Sequence, residues 1–258
     1  MHVDFIIIGQ GIAGTCLAFE LIKHKKTFII IDEFQPTSAS QVALGIYNPI
    51  ILKWFTKPWL VDDQINYFNI FYNEINNFLN INCFDDIGIY KLLKNVYDQN
   101  TWLSKNTTNG RNHYMSPKFH AIKNKSLVNN EIYGYIKKAG RVNIKLLLQS
   151  FRQYLIKNNL IIEDRFQYQD LIVKKSSLIF RDITAKNIVF CQGYSKLENP
   201  YFKNLNYKPT KGEILHIYCK DLNLDKIIHT GLILTPLGDD YYAIGATYDW
   251  ENINTNPT

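Results

Sequence analysis

One arrangement near the start of the chain admits few folds. Residues 3–8, Val3-Asp4-Phe5-Ile6-Ile7-Ile8, form an apolar, β-branched run with the character of a buried strand. Gly9-Gln10-Gly11-Ile12-Ala13-Gly14 follows directly, a G-x-G-x-x-G sequence. From about residue 12 to 23, Cys16, Leu17, Phe19, Leu21 and Ile22 recur at helical spacing, and residues 27–31 return to a strand pattern closed by Asp32. This order predicts a β–α–β unit that receives a dinucleotide at its glycine turn. Gly9 permits the tight turn out of the strand, Gly11 lets the backbone approach a pyrophosphate, and Gly14 lets the helix lie close to the sheet. Ile12 and Ala13 open the helix, whose free N–H groups and positive dipole end suit phosphates. Asp32, 18 residues after Gly14, is placed to accept hydrogen bonds from ribose hydroxyls, with Glu33 as a lesser candidate beside it. A carboxylate there disfavours a 2′-phosphate and hence NADP; NAD and FAD both remain.

Composition sets the outer bounds. The 258 residues are 46% hydrophobic, enough for a large core in one large or two small domains and incompatible with intrinsic disorder. No apolar run approaches the ~20 residues of a membrane helix. The first strand starts so early that no secretory leader is expected. A net charge of +6 hints at nucleic acid, but the basic residues are dispersed, and 35 Ile, 27 Asn and 24 Lys together suggest A/T-rich coding. Nucleic acid is therefore an unlikely partner, since a binding footprint is a basic stripe on one face. Cys16, Cys83, Cys191 and Cys219 show no metal or disulfide spacing, so no metal is expected and the thiols are read as reduced and buried in a cytoplasmic protein.

The segment after Asp32 separates the flavin from the nicotinamide reading. Thr37-Ser38-Ala39-Ser40-Gln41-Val42-Ala43-Leu44-Gly45-Ile46-Tyr47-Asn48-Pro49 is a polar loop leading into small residues, where a nicotinamide dehydrogenase would usually begin its next helix. It resembles the S-x-x-x-x-G-type segment of the D-amino-acid oxidase/glycine oxidase (DAO) superfamily of FAD-dependent oxidoreductases. The resemblance continues through Ala139-Gly140-Arg141-Val142-Asn143 before a helix at about 144–157, and through a hairpin-like pair around 171–174 and 178–181. It continues further through Lys186-Asn187-Ile188-Val189-Phe190-Cys191-Gln192-Gly193, Pro209-Thr210-Lys211-Gly212-Glu213-Ile214-Leu215 and Tyr242-Ala243-Ile244-Gly245-Ala246-Thr247. It implies FAD as cofactor, with Ser40, Gln41, Gly45, Ile46, Phe166, Cys191 and Gly193 joining the glycine turn and Asp32 in holding it. The family's closing segment, which carries an arginine for the substrate carboxylate, is not found. The last arginine is Arg181, so the chain is read as a C-terminally shortened member whose own activity is open.

The implied fold is α/β: a Rossmann-like FAD-binding domain with a parallel central sheet, interleaved with a smaller α+β substrate domain on an antiparallel or mixed sheet. The expected partition is 1–50 and 140–205 for the FAD-binding domain, and 51–139 and 206–258 for the substrate domain. Asp62 and Asp63 are expected to open a helix over 64–79, residues 87–93 to form a strand, and about 96–103 a short helix before a polar loop at 107–112. The implied reaction is oxidation of a small-molecule amine or amino acid by hydride transfer to flavin. It calls for no dedicated catalytic signature, because the cofactor carries the difficult chemistry. Tyr47, Lys211, Tyr242 and Thr247 are the candidates for substrate contact, with Lys53 and Lys57 as weaker carboxylate partners. The alternatives are a flavin-dependent tRNA-modifying oxidoreductase and a shortened, non-catalytic dinucleotide-binding remnant.

Overall fold

The computed structural model of the chain describes residues 1–127, 131–194 and 199–258. In chain order it runs β1 (His2–Ile8), α1 (Ile12–Lys23), β2 (Phe28–Ile31), α2 (Ala39–Val42), β3 (Ile46–Tyr47), α3 (Val61–Leu79), β4 (Phe84–Asp85), β5 (Ile89–Leu92) and α4 (Val96–Asn106). It continues with β6 (Met115–His120), β7 (Tyr133–Ile136), β8 (Gly140–Val142), α5 (Ile144–Lys157), β9 (Ile161–Ile162), β10 (Leu171–Val173), β11 (Leu178–Phe180) and β12 (Ile183–Phe190). Four strands close the chain: β13 (Ile214–Tyr218), β14 (Ile227–His229), β15 (Ile233–Gly238) and β16 (Tyr241–Gly245).

Two compact units divide these elements. The first holds Met1–Ala43, Ile75–Asn82 and Ile144–Pro209; the second holds Leu44–Glu74, Cys83–Asn143 and Thr210–Thr258. In the first, one six-stranded sheet runs in the order β10-β11-β12-β1-β2-β9. β1 lies parallel to both β12 and β2, β2 is parallel to β9, and the β10–β11 hairpin adds antiparallel strands at one edge. Ile6, Ile7, Ile30 and Ile31 are no more than 1% exposed. Covered on both faces, these strands read as continuous apolar runs instead of alternating ones. α1 buries Gly14, Thr15, Ala18, Phe19 and Leu21, and α5 buries Leu147, Leu148, Phe151 and Leu155.

The second unit is built on a seven-stranded sheet in the order β13-β16-β15-β14-β5-β7-β6, antiparallel except where β14 meets β5. Its core gathers Ile89, Trp102, Ile136 and Ile227, all fully buried. A separate three-stranded sheet, β3-β8-β4, brings the 46–47 and 140–142 segments together. This unit holds the larger share of the residues, against the expected smaller domain, because the long excursion after β3 contributes α4, most of α3 and three of the seven strands.

Several elements depart from the sequence expectation for physical reasons. α3 starts at Val61, one residue ahead of Asp62 and Asp63, so the two acids sit inside its first turn, where the helix dipole favours them. α4 runs on to Asn106 because its last turn is anchored by tertiary hydrogen bonds. Trp102 Nε1 donates to the Ser116 carbonyl at 2.8 Å, and Asn106 Nδ2 donates to the Met115 carbonyl at 2.7 Å. β6 carries no alternation to read, with Pro117 inside it and a register shift between Met115 and Phe119. All four cysteines are free, but only Cys83 is buried; Cys16, Cys191 and Cys219 are partly exposed because they lie at element ends or on a helix flank. No helix among the described residues is long and apolar enough to cross a membrane.

Candidate functional site

The glycine turn at the top of β1 leaves room for nothing but hydrogen at two positions. Gly9 has φ +99°, and a Cβ there would stand 2.5 Å from the Cys191 carbonyl oxygen. A Cβ on Gly14 would stand 1.9 Å from the Gly9 carbonyl oxygen. The close approach that Gly14 permits is thus of the helix onto the turn itself. The turn is pinned from both sides: Gly9 N–H donates to the Ile31 carbonyl at 2.9 Å, and Cys191 N–H to the Ile8 carbonyl at 2.7 Å. Gly11 caps α1 with extended backbone. Ser40 comes to this helix end and its hydroxyl accepts the Ile12 N–H at 3.1 Å, so one of the amides expected for phosphate is already engaged. The Ala13 and Gly14 amides have no protein acceptor among the described residues. They form the open, electropositive end of α1.

At the end of β2, Asp32 is held by three donors. Oδ2 accepts the Gln10 N–H at 3.2 Å; Oδ1 accepts the Phe34 N–H at 3.2 Å and Nη1 of Arg152 at 3.2 Å. Glu33 is exposed and, among the described residues, accepts only from Gln35. Gln41 lies half-buried on the four-residue α2. Cys191 and Gly193 follow β12 beside the turn; burial pushes the Cys16 thiol up to about 12 and raises that of Cys191, so neither offers a thiolate. Phe166 is in the core, 7% exposed and stacked on Phe180 at 4.8 Å, which leaves its backbone alone for any cofactor contact. Arg152 and Gln10 were not singled out from sequence. The available signal was a cation at position 152 on the same helical face as Leu148 and Leu155, where an apolar residue belongs.

In the second unit, Gly45 has φ +69° and its carbonyl accepts the Val142 N–H at 2.8 Å. Ile46 pairs with Arg141 and Tyr47 with Gly140, while Arg141 also faces Asp85 across the other edge of β8. Two polar atoms of this small sheet are shielded and unpartnered: Oη of Tyr47 and Nε of Arg141. The Tyr47 ring lies 4.2 Å from that of Phe68, and burial with the Asp86 charge keeps its phenol protonated. Burial also lowers the pKa of Arg141, opposed by Asp85. No hydrogen bond or ion pair engages the Arg141 guanidinium among the described residues.

The other candidates are occupied locally. The Lys211 ammonium is 3.4 Å from Glu213 and reaches Asn254 and Asn256. Tyr242 is 4% exposed, with its hydroxyl accepting the Leu224 N–H at 3.4 Å. Thr247 Oγ1 accepts the Glu213 N–H at 3.0 Å. Lys57 pairs with Asp62, and Lys53 stacks over Trp54 at 4.7 Å.

A parallel sheet whose first strand ends in this glycine cradle, with open helix amides and a fixed carboxylate on the next strand, defines a dinucleotide-binding α/β enzyme. Comparison with known proteins narrows the class. The DAO family, FAD dependent oxidoreductase, matches residues 4–258, and the chain belongs to that family. Glycine oxidase from Geobacillus kaustophilus superposes with a TM-score of 0.78 at 17% identity, over 98% of this chain and 73% of that one. Iminodiacetate oxidase from Chelativorans sp. BNC1 gives 0.76 at 17%, over 99% and 74%. L-α-glycerophosphate oxidase from Mycoplasma pneumoniae, with FAD bound, gives 0.65 at 15%, over 96% and 72%. The protein is an FAD-dependent oxidoreductase with a Rossmann-like fold. The turn fits the cofactor's pyrophosphate, because Gly9 and Gly14 let strand, turn and helix pack closely enough to leave the Ala13 and Gly14 amides as donors at the open end of α1.

Proposed function

We propose that the protein oxidises a small amine-bearing acid of the amino-acid type, removing a hydride from the carbon next to nitrogen. The observation that carries this reading is Arg141, a partly buried guanidinium cross-strand from Ile46 that has no hydrogen bond or ion pair among the described residues. A cation shielded from water and left unpaired is costly, and a bound carboxylate relieves the cost. FAD, when bound, supplies the two-electron acceptor. Ala13 and Gly14 hold its pyrophosphate and Asp32 its ribose. Arg141 anchors the carboxylate. The first unit serves as the cofactor domain and the second as the substrate domain. The names of the glycine and iminodiacetate oxidases, both for amine-bearing acids, support the substrate class. Free cysteines support a reducing, cytoplasmic setting.

The test is anaerobic flavin bleaching with a panel of amino acids, imino-diacids and matched amines lacking a carboxylate. Bleaching by the acids, with Arg141→Met raising their KM at least tenfold and sparing the carboxylate-free amines, is the expected pattern. Failure of every amine-bearing acid to bleach the flavin would end the reading.

A further inference from the structure

Arg152 stands where no dinucleotide-binding pattern asks for a cation. It projects from the buried face of α5 and is 9% exposed. Its guanidinium donates to Oδ1 of Asp32 at 3.2 Å, to the Asp32 carbonyl at 3.4 Å, to Oε1 of Gln10 at 3.0 Å and to Oε1 of Glu163 at 2.8 Å and 3.2 Å. The Phe34 ring covers it, 5.2 Å from the guanidinium carbon. Gln10 in turn donates to Thr15 Oγ1 and to the Leu148 carbonyl, both at 3.1 Å. One side chain therefore ties the glycine turn, the end of β2, α5 and the strand-end acid Glu163 into one network.

We infer that Arg152 is a positioning residue for FAD, acting through Asp32. An ionised carboxylate has about four acceptor sites. Three are filled by Gln10 N–H, Phe34 N–H and Arg152, so one remains, on Oδ2. The clamp fixes where that site points, which a carboxylate free to rotate does not offer. It also sets the charge. One arginine against Asp32 and Glu163 leaves the cluster at a formal −1, which keeps it an acceptor of ribose hydroxyls and repels a 2′-phosphate.

The experiment is a double-mutant cycle on FAD affinity, measured by flavin fluorescence quenching with apoprotein of wild type, Arg152→Met, Asp32→Asn and the double variant. Arg152→Met should weaken FAD by about tenfold, the scale of one hydrogen bond to a charged group. In the Asp32→Asn background the same change should have little further effect, and Arg152→Lys should recover part of the loss. Equal losses in both backgrounds, as a purely structural role would give, overturn the proposal, as does tighter binding in Arg152→Met. If Arg152→Met does not fold, Glu163→Gln takes its place in the cycle, since that side chain is 57% exposed and its change loosens the same clamp. Unaltered FAD affinity in both Glu163→Gln and Arg152→Lys also overturns it.

Discussion

A methyl group on Gly14 would fall 1.9 Å from the Gly9 carbonyl oxygen, which belongs to backbone pinned by the neighbouring strands. Gly14→Ala should therefore abolish FAD binding in any protein that still folds; retention of bound flavin at the wild-type level would contradict the steric account. Asp32→Ala tests a different kind of residue, one whose carboxylate accepts hydrogen bonds and whose loss creates no steric clash. FAD affinity should fall by about tenfold or more while far-ultraviolet circular dichroism is unchanged. Unchanged flavin retention would sink the ribose assignment. Gly9, Gly11, Gly14 and Asp32 were all legible in the sequence, since each is specified within one β–α–β unit. Arg152 was not, because its partners lie 120 and 142 residues away and only the docking of α5 brings them to it.

Elements were legible where their burial is simple. β1, β2 and α1 carry the periodicity of their surroundings, and the β10–β11 hairpin was visible as two apolar runs around a polar turn. β6 and the last turn of α4 were hidden, because what holds them is tertiary. Asn106→Ala should lower stability by about 1–3 kcal/mol in urea denaturation, because it leaves the buried Met115 carbonyl without a donor. The β5–β14 pair carries a pH dependence of its own. Lys91 and His229 are in register across it, with Nζ and Nδ1 3.2 Å apart. Burial first, and then the Lys91 charge, hold His229 down to about 4, with Lys94 adding to the depression. The ammonium donates and the imidazole accepts as a neutral base. Because the folded pKa lies below the unfolded value of about 6.5, the unfolded chain binds the proton first. Stability is therefore full above pH 6.5 and declines as pH falls towards 4. In His229→Gln the urea midpoint should lose most of its decline over that window; an identical pH profile in the variant would refute the assignment.

For the whole molecule, the proposed FAD site is assembled only by folding, so FAD is expected to bind the folded chain alone. Melting temperature should rise with FAD concentration, by the equivalent of about 2.7 kcal/mol at a hundredfold excess over Kd. Asp32→Asn should reach the same shift only at proportionately higher FAD. A melting temperature independent of FAD in the wild-type protein would contradict the cradle.

What the sequence by itself determined is the β–α–β start, the class of cofactor it receives and the family's order of strands. Glycine sterics and hydrophobic period act between neighbours in the chain, so they can be read from it. Which polar groups are satisfied was decided only by the tertiary structure. Lys211, Tyr242 and Thr247 sit in motifs that fit substrate contact, yet each is engaged by its own surroundings. Arg141 carried no local signal, yet its Nε is shielded and without a hydrogen-bond partner among the described residues, as is the hydroxyl of Tyr47, already a candidate for substrate contact. A side chain's hydrogen-bond partner and its desolvation depend on strands and helices distant in sequence, and no local pattern encodes them.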